Sequence, residues 1–376
     1  MRLLLVGHDA GGTVPPLIAI GQAAVDAGHD VMVLGQPSMR ARAEAVGARF
    51  TVFSELGDYR RDVPLEHQPD PGVAAIAGAT VGVDLRRAAD EVEADVIVVD
   101  ANLGGALAAA ESLPQPSAVL LHSMYATFVA TWFADLWPFL ADGINASRAV
   151  FGLDPVDGWA AAFARHDLLV SVVPEAFEAP VPTLPETRQS FGFLVPRAPA
   201  GAPAATFPPG DGPTALVSLS TTHQQHEPLL GRIVAALAET DVRALVTTGG
   251  HLDTASLRVP PNVVLADFVP HQSVLPAADV VVTHAGLGTV AAALAAGVPL
   301  VCTPIARDQH LNTERVEALG VGIGCPDGAP AAITPGIDRV LGDPAFGARA
   351  AGLASESRAA GGAPAVVDSL AALDGR

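Results

Sequence analysis

The chain has 376 residues, half of them apolar, which is long for one hydrophobic core and sufficient for two. Forty acidic residues against 21 basic ones give a formal charge of −19, which argues against a nucleic-acid partner. No lysine occurs, which excludes a Walker lysine, a Schiff-base lysine and pyridoxal-phosphate chemistry and leaves any bound phosphate to arginine, histidine, hydroxyls, a metal or backbone N–H groups.

From the start of the chain, Leu3–Val6 reads as a buried strand. It is cut off by Gly7-His8-Asp9, too soon for the apolar core of a signal peptide. No apolar run reaches the roughly 20 residues that span a bilayer, so a cytoplasmic protein with no membrane partner is expected. The Gly-rich turn 10–13 leads into a helix from about Val14 to Ala27, with Pro15 and Pro16 in its first turn and Gly28 at its end. Val31–Leu34 is a strand, Ser38–Val46 a helix stopped by Gly47, and Arg49–Phe53 a third strand. Val96–Val99 and Val119–Leu121 are further short apolar runs. The stretch 125–139 is rich in aromatics, and Tyr125, Phe128 and Trp132 share one face at helical spacing.

Residues 196–213 are rich in Pro, Ala and Gly and read as a linker. Strands follow at 214–220, 243–247, 263–265, 280–283 and 300–302, with helices at about 227–237, 289–296 and 309–319 and a helical, Ala-rich tail after Pro344. This predicts an N-terminal domain over 1–195, a C-terminal domain over 214–360 and a helical tail over 361–376. Alternating strands and helices predict two Rossmann-like α/β domains with parallel sheets facing across a cleft, with ligands beyond the strands' carboxyl ends. Cys302 and Cys325 give no disulfide framework and no zinc spacing, and read as small buried hydrophobes.

The most specific segment is Val280–Thr289, continued through Gly297 to Asn312. It reads as a buried strand, a turn, a helix start, a second strand and a polar cluster at the next helix start. Gly286 and Gly288 let backbone approach a ligand. His284 ends the strand and can donate to a phosphate oxygen. Asp308 and Gln309 suit the hydrogen-bonding of vicinal hydroxyls. Arg307 reads equally as a surface residue or a phosphate partner.

These residues resemble the donor signature of family 1 glycosyltransferases of the GT-B fold, especially bacterial enzymes that decorate antibiotics and other natural products. The pattern is His284-x-Gly286-x-Gly288-Thr289, then Gly297-Val298-Pro299, then Asp308-Gln309 and Asn312. Asp267 to His271, with Val269 among them, resembles the segment whose backbone holds the nucleobase. Leu219 to Thr222, including Ser220 and Thr221, resembles the loop that meets the donor phosphates and sugar. Residues 12–16 and 28–31 resemble the family's first βα unit. The match is thin across 55–200.

The resemblance implies an inverting, metal-independent enzyme with no cofactor. Its donor would be a TDP- or UDP-sugar, a deoxysugar by analogy with antibiotic tailoring, and its acceptor a small apolar or aromatic, polyketide-like aglycone. Tyr125, Phe128, Trp132, His122 and Thr13 are the candidate acceptor residues, the aromatics reading as readily as core. A homodimer is compatible with the sequence. One departure stands out: the family places its general base, a histidine, where this chain has Thr13. Asp9 leads the candidates to replace it, with His8 beside it. His122 and Asp100 also end strands, and in the family an aspartate near Asp100 orients the missing histidine. Thr13 keeps a non-catalytic donor-binding relative open as an alternative, alongside a nucleotide-sugar epimerase of the same architecture.

Overall fold

The computed structural model describes residues 1–58, 76–198, 206–219, 227–250, 254, 257–325 and 330–375. Ser220 and Thr221 lie outside the described residues. Short runs of Val, Ile and Leu become strands covered on both faces. In the first sheet they are β1 Arg2–Val6, β2 Asp30–Gly35, β3 Arg49–Val52, β4 Val96–Asp100, β5 Ser117–Leu121, β6 Leu168–Ser171 and β7 Arg188–Ser190. In the second they are β8 Thr214–Ser218, β9 Arg243–Thr247, β10 Val263–Ala266, β11 Val280–Thr283, β12 Leu300–Cys302 and β13 Gly322–Gly324.

The first sheet runs β3-β2-β1-β4-β5-β6-β7 and the second β10-β9-β8-β11-β12-β13. All pairings are parallel. Strand order reverses between β1 and β4 in one sheet and between β8 and β11 in the other. At these switch points the helices on either side diverge, which leaves room for a ligand beyond the strands' carboxyl ends. Val6 sits beside Val99 at the first and Ser218 beside Thr283 at the second.

The helices in chain order are α1 Val14–Asp26, α2 Arg40–Ala45, α3 Ala79–Val92, α4 Gly104–Glu111, α5 Tyr125–Val129, α6 Trp132–Val150 and α7 Trp159–Phe163. They continue with α8 Glu227–Leu237, α9 His271–Val274, α10 Leu287–Ala295, α11 Gln309–Ala318, α12 Pro330–Gly342, α13 Pro344–Ala359 and α14 Gly362–Asp374. Two units form, each with its own core. The described residues of the first are 1–58, 76–196 and 359–375, and the second is drawn from 197–358. The chain's last helix therefore belongs to the first unit. Gly361 and Gly362 turn it there with φ of 86° and 60°, the Gly362 N–H donates to the Phe191 carbonyl at 3.0 Å, and α14 packs on α1.

Local departures from the sequence reading have identifiable causes. The single helix expected through the aromatic stretch is two, α5 and α6, broken at Ala130-Thr131 where Thr131 takes φ −138° and ψ −131°. Tyr125 and Phe128 thus share a helix that Trp132 does not. The β8 strand ends at Ser218, and α10 begins at Leu287. The helix expected over 38–46 is a 3₁₀ turn, Pro37–Met39, followed by α2.

Helix α4 has no polar face for its first seven residues, all buried, so no amphipathic period marks it in sequence. It lies so close to α3 that a Cβ at Gly105 would run into the Gly78 carbonyl, and one at Gly82 into the Gly105 carbonyl. Gly105→Ala is expected to destabilise the first unit by about 1–3 kcal/mol through overpacking. Gly347→Ala in α13, where nothing lies within 4 Å of the added carbon, is expected to be neutral or mildly stabilising. Urea denaturation of both variants checks this pair.

Candidate active site

Both switch points carry histidines. In the first unit, His8 and Asp9 follow β1, β4 ends in Asp100, and His122 follows β5. His122 Nδ1 lies 2.9 Å from Asp100 Oδ2, and the Asn102 N–H donates to Oδ1 at 3.0 Å. His8 Nδ1 stands 3.8 Å from Asp100 Oδ1. Burial pushes the Asp100 carboxyl up, but His122, His8 and the Asn102 N–H outweigh it and hold the group below the ordinary carboxylate range. An ionised carboxylate only accepts hydrogen bonds, so His122 must donate from Nδ1. That leaves Nε2 of the neutral ring as a bare acceptor. Nε2 has no hydrogen bond among the described residues, and the His122 side chain keeps 9% of its surface exposed. The ring of His122 is held edge-on by Phe128 and Phe133, with centroids 5.4 and 6.1 Å away.

Asp9 and Thr13 are otherwise engaged. The Asp9 carboxylate receives Arg42 Nη2 at 2.6 Å, Ser38 Oγ at 2.9 Å and the Gly11 N–H at 3.2 Å. The Thr13 hydroxyl donates to the His8 carbonyl at 2.5 Å and accepts the Ala10 N–H at 3.2 Å, closing the loop that starts α1. His8 is largely buried, and burial pushes its pKa down against the pull of Asp100, with His122 adding to the fall and Asp9 opposing it.

Of the aromatic residues, Tyr125 and Phe128 lie in the first unit's core, and Trp132 packs on it partly buried. Phe128 stacks on Phe133 at 4.8 Å. The start of α5 is braced from below: Glu178 accepts the Tyr125 and Ala126 N–H groups at 3.1 and 3.2 Å. Glu178 is itself paired with the buried Arg188 at 2.9 Å. This brace fixes the segment immediately after His122. Sequence spacing gave no sign of it, since Glu178 lies more than 50 residues from the groups it receives.

In the second unit, His284 follows β11 and Gly286 caps α10. His284 is buried, and burial lowers its pKa to about 4, opposed by a hydrogen bond to the Ser218 backbone and reinforced by the Arg307 charge. The Arg307 charge is therefore felt at the ring that the sequence singled out. A Cβ on Gly286 would stand 2.5 Å from His284 Nε2, so only glycine leaves the ring its place. Gly288 and Thr289 lie in the first turn of α10, whose leading N–H groups have no intrahelical partners and carry the positive end of the helix dipole. Ala285 and Arg307 both take positive φ, 66° and 60°, an uncommon state for residues with a side chain.

Asp308 and Gln309 open α11. Asn312 Nδ2 donates to the Ala285 carbonyl at 2.9 Å and to Asp308 Oδ2 at 3.1 Å, tying the two loops together. Gln309 Oε1 accepts the Ile305 and Ala306 N–H groups at 2.8 and 3.0 Å, so its carbonyl shapes the loop after β12. Val269 is buried between β10 and α9, beside the exposed Phe268. His271, the last residue of the segment that resembles the family's nucleobase-holding stretch, bonds through Nε2 to Ser218 Oγ at 3.0 Å and fixes the end of β8 next to His284. Among the described residues no helix is long and apolar enough to cross a membrane.

A family model for the C-terminal domain of erythromycin biosynthesis protein CIII-like proteins matches residues 231–373. The chain is 28% identical to 4'-demethylrebeccamycin synthase of Lentzea aerocolonigenes over all of this chain and 99% of that one. It is 35% identical to elloramycin glycosyltransferase of Streptomyces olivaceus over 42% of this chain and 41% of that protein. Among solved structures, the calicheamicin glycosyltransferase CalG4 superposes with a TM-score of 0.77 at 26% identity, covering 100% of this chain and 99% of that one. The kitacinnamycin glycosyltransferase gives 0.81 at 24% identity over 99% and 98% of the two chains, a likeness of fold. With its two parallel-sheet Rossmann-like units, the chain has the GT-B fold of these natural-product glycosyltransferases and is similar to them along its whole length, and residues 231–373 match the erythromycin biosynthesis protein CIII-like C-terminal domain.

Proposed function

We propose that the enzyme transfers a deoxysugar, with inversion, from a TDP-sugar to a small, largely apolar aglycone in the cytoplasm. It needs no metal and no cofactor beyond the nucleotide sugar. The second unit takes the donor and the first the acceptor. The observation that carries the donor assignment is the β11–α10 junction: an imidazole, an arginine and a helix N-terminus meet at one switch point. These are the phosphate-binding groups left to a chain without lysine. TDP is favoured over UDP because two solved structures of this fold, glycosyltransferase VinC and spinosyn rhamnosyltransferase SpnG, are described as complexes with it. A deoxysugar is favoured because relatives and neighbours are named for transferring rhamnose, mycarose and forosamine.

In this reading the acceptor oxygen attacks the anomeric carbon as the bond to the diphosphate oxygen breaks. Negative charge grows on the leaving group, where His284, Arg307 and the α10 N–H groups stabilise it without a metal. The arriving diphosphate offsets the burial and Arg307 charge that hold His284 neutral, and so draws a proton onto the ring. Asp308 and Gln309 sit beside this site to meet the sugar, Gln309 through its amide nitrogen. Ser220, Thr221 and Val269 complete the donor residues, and Tyr125, Phe128, Trp132, His122 and Thr13 frame the acceptor side.

Calorimetry tests the donor site. TDP is expected to bind more tightly than ADP or GDP, with proton uptake at pH 7 that shows as a heat differing between buffers of different ionisation enthalpy. EDTA is expected to leave binding and turnover unchanged. TDP binding that requires added Mg²⁺, or that shows no proton uptake and survives His284→Ala undiminished, would overturn the assignment.

A further inference from the structure

Taking the glycosyl-transfer reading as given, we propose that His122 is the general base that deprotonates the acceptor, with Asp100 as its positioning residue, in place of the histidine that the family carries where this chain has Thr13.

Four groups near the first switch point could act, and the geometry leaves one. The Thr13 hydroxyl gives its proton to the His8 carbonyl and closes the loop. The Asp9 carboxylate is saturated by Arg42, Ser38 and a backbone N–H, with an ion pair at 2.6 Å that opposes proton uptake. His8 lacks an orienter: its Nδ1 stands 3.8 Å from Asp100 Oδ1, beyond hydrogen-bond reach, and has no other hydrogen-bond partner among the described residues, so no carboxylate fixes its tautomer. His122 has an oriented ring, a carboxylate on Nδ1 and a bare Nε2. This is the base-plus-orienter arrangement on which proton abstraction from a hydroxyl depends. The titratable groups that face His122 are Asp100 on β4 and His8 after β1, with Asp9 beyond His8. Phe128 and Phe133 pack on the ring edges and keep it from turning away from Asp100. Arg188, Glu178 and the start of α5 hold Phe128 in turn.

The step balances without an external reagent. The acceptor O–H proton passes to His122 Nε2, and the oxygen's electron pair forms the bond to the anomeric carbon. The carbon–oxygen bond to the diphosphate breaks with its pair remaining on TDP. The imidazolium so formed is stabilised by Asp100 and returns its proton to water. The substitution at Thr13 is thereby explained: the oriented histidine has moved from the loop after β1 to the end of β5, and the aspartate at the end of β4 serves it there.

The experiment compares wild type, His122→Gln and Asp100→Asn, all with TDP-rhamnose as donor and two acceptors of different acidity. One is a nitrophenol already ionised at pH 8, and the other is an alkyl alcohol. With the alcohol, His122→Gln is expected to lose about 10²-fold in kcat. With the nitrophenolate it is expected to lose less than tenfold, because that acceptor has no proton to give up. TDP binding by calorimetry is expected to match wild type in both variants. Equal losses on both acceptors, or none on either, overturn the proposal. Failure of wild type to bind TDP overturns the donor reading instead. A second measurement needs no turnover: ¹⁵N–¹H spectra of the histidine rings are expected to show His122 protonated on Nδ1 and bare on Nε2, and Asp100→Asn is expected to disturb that tautomer. An Nε2–H tautomer in the wild type overturns the proposal whatever the rates.

Discussion

Gly286→Ala is expected to lower kcat by about 10²–10³-fold while leaving the fold intact, the range seen when one preorganised donor to a developing charge is lost. Gly286 has φ −63° and ψ 135°, a conformation alanine adopts freely, so the backbone has no reason to move. The added Cβ would stand 2.5 Å from His284 Nε2 and 3.0 Å from its Cε1. The ring cannot stay, and the hydrogen bond to the Ser218 backbone goes with it. The effect therefore runs through His284 alone, and a double-mutant cycle shows it. His284→Ala and Gly286→Ala are each expected to cost about the same, and the double variant little more than either. Steady-state rates at saturating donor, with melting temperatures alongside, supply the measurement. Wild-type turnover in Gly286→Ala would remove His284 from the chemistry, and additive losses would mean that the glycine acts independently of the ring.

The residues behind this argument were legible in the sequence because they are close together in it. From β11 to the start of α11 the chain holds His284, Gly286, Asp308 and Gln309 within 30 residues, and a parallel strand–loop–helix unit forces them to one sheet end. The first unit was less legible because its site is assembled from distant pieces. Arg42 and Ser38 reach Asp9 from 33 and 29 residues away, and nothing at Asp9 itself announces that they will. Asp100 and His122 are 22 residues apart at the ends of neighbouring strands. Their pairing follows only from the order β1-β4-β5, which sequence does not state. The aromatic stripe misled in another way: its helical spacing was real, but the break at Thr131 lies between its second and third members. The buried α4 left no periodic trace at all.

Stability is expected to fall steeply between pH 6.5 and 4, before most carboxylates titrate. His166 in the first unit and His271 and His284 in the second are each held down to about 4, in all three cases chiefly by burial. The causes beyond burial differ. At His166, Asp167 opposes the fall and Arg148 adds to it. The His166 Nδ1 meets Ser117 Oγ at 2.7 Å, while its Nε2 is buried without a partner among the described residues, so a second ring proton would have no acceptor there. Above pH 6.5 neither the folded nor the unfolded chain protonates these rings. Below it the unfolded chain takes up protons that the folded chain refuses, so acid favours unfolding until the folded rings titrate near 4. The slope is about 1.4 kcal/mol per pH unit per histidine, or about 3 kcal/mol each across the window. The pair in the second unit then accounts for about 6–7 kcal/mol, comparable with the roughly 5–15 kcal/mol that holds a whole domain together. Asp95 and Asp100, both held below the ordinary aspartate value, stabilise the fold above that value and lose this only as pH falls through their lowered pKa, so they act below the histidine window. Calorimetric melting at pH 7, 6, 5 and 4.5 is expected to show the decline. His271→Gln removes one of the second unit's two contributions and is expected to flatten that unit's slope by about half. If the second unit takes the donor as proposed, TDP is expected to move its acid transition to lower pH by mass action. A melting temperature unchanged from pH 7 to 4.5 would mean that these rings protonate without disturbing the fold, and the burial argument would fail with them.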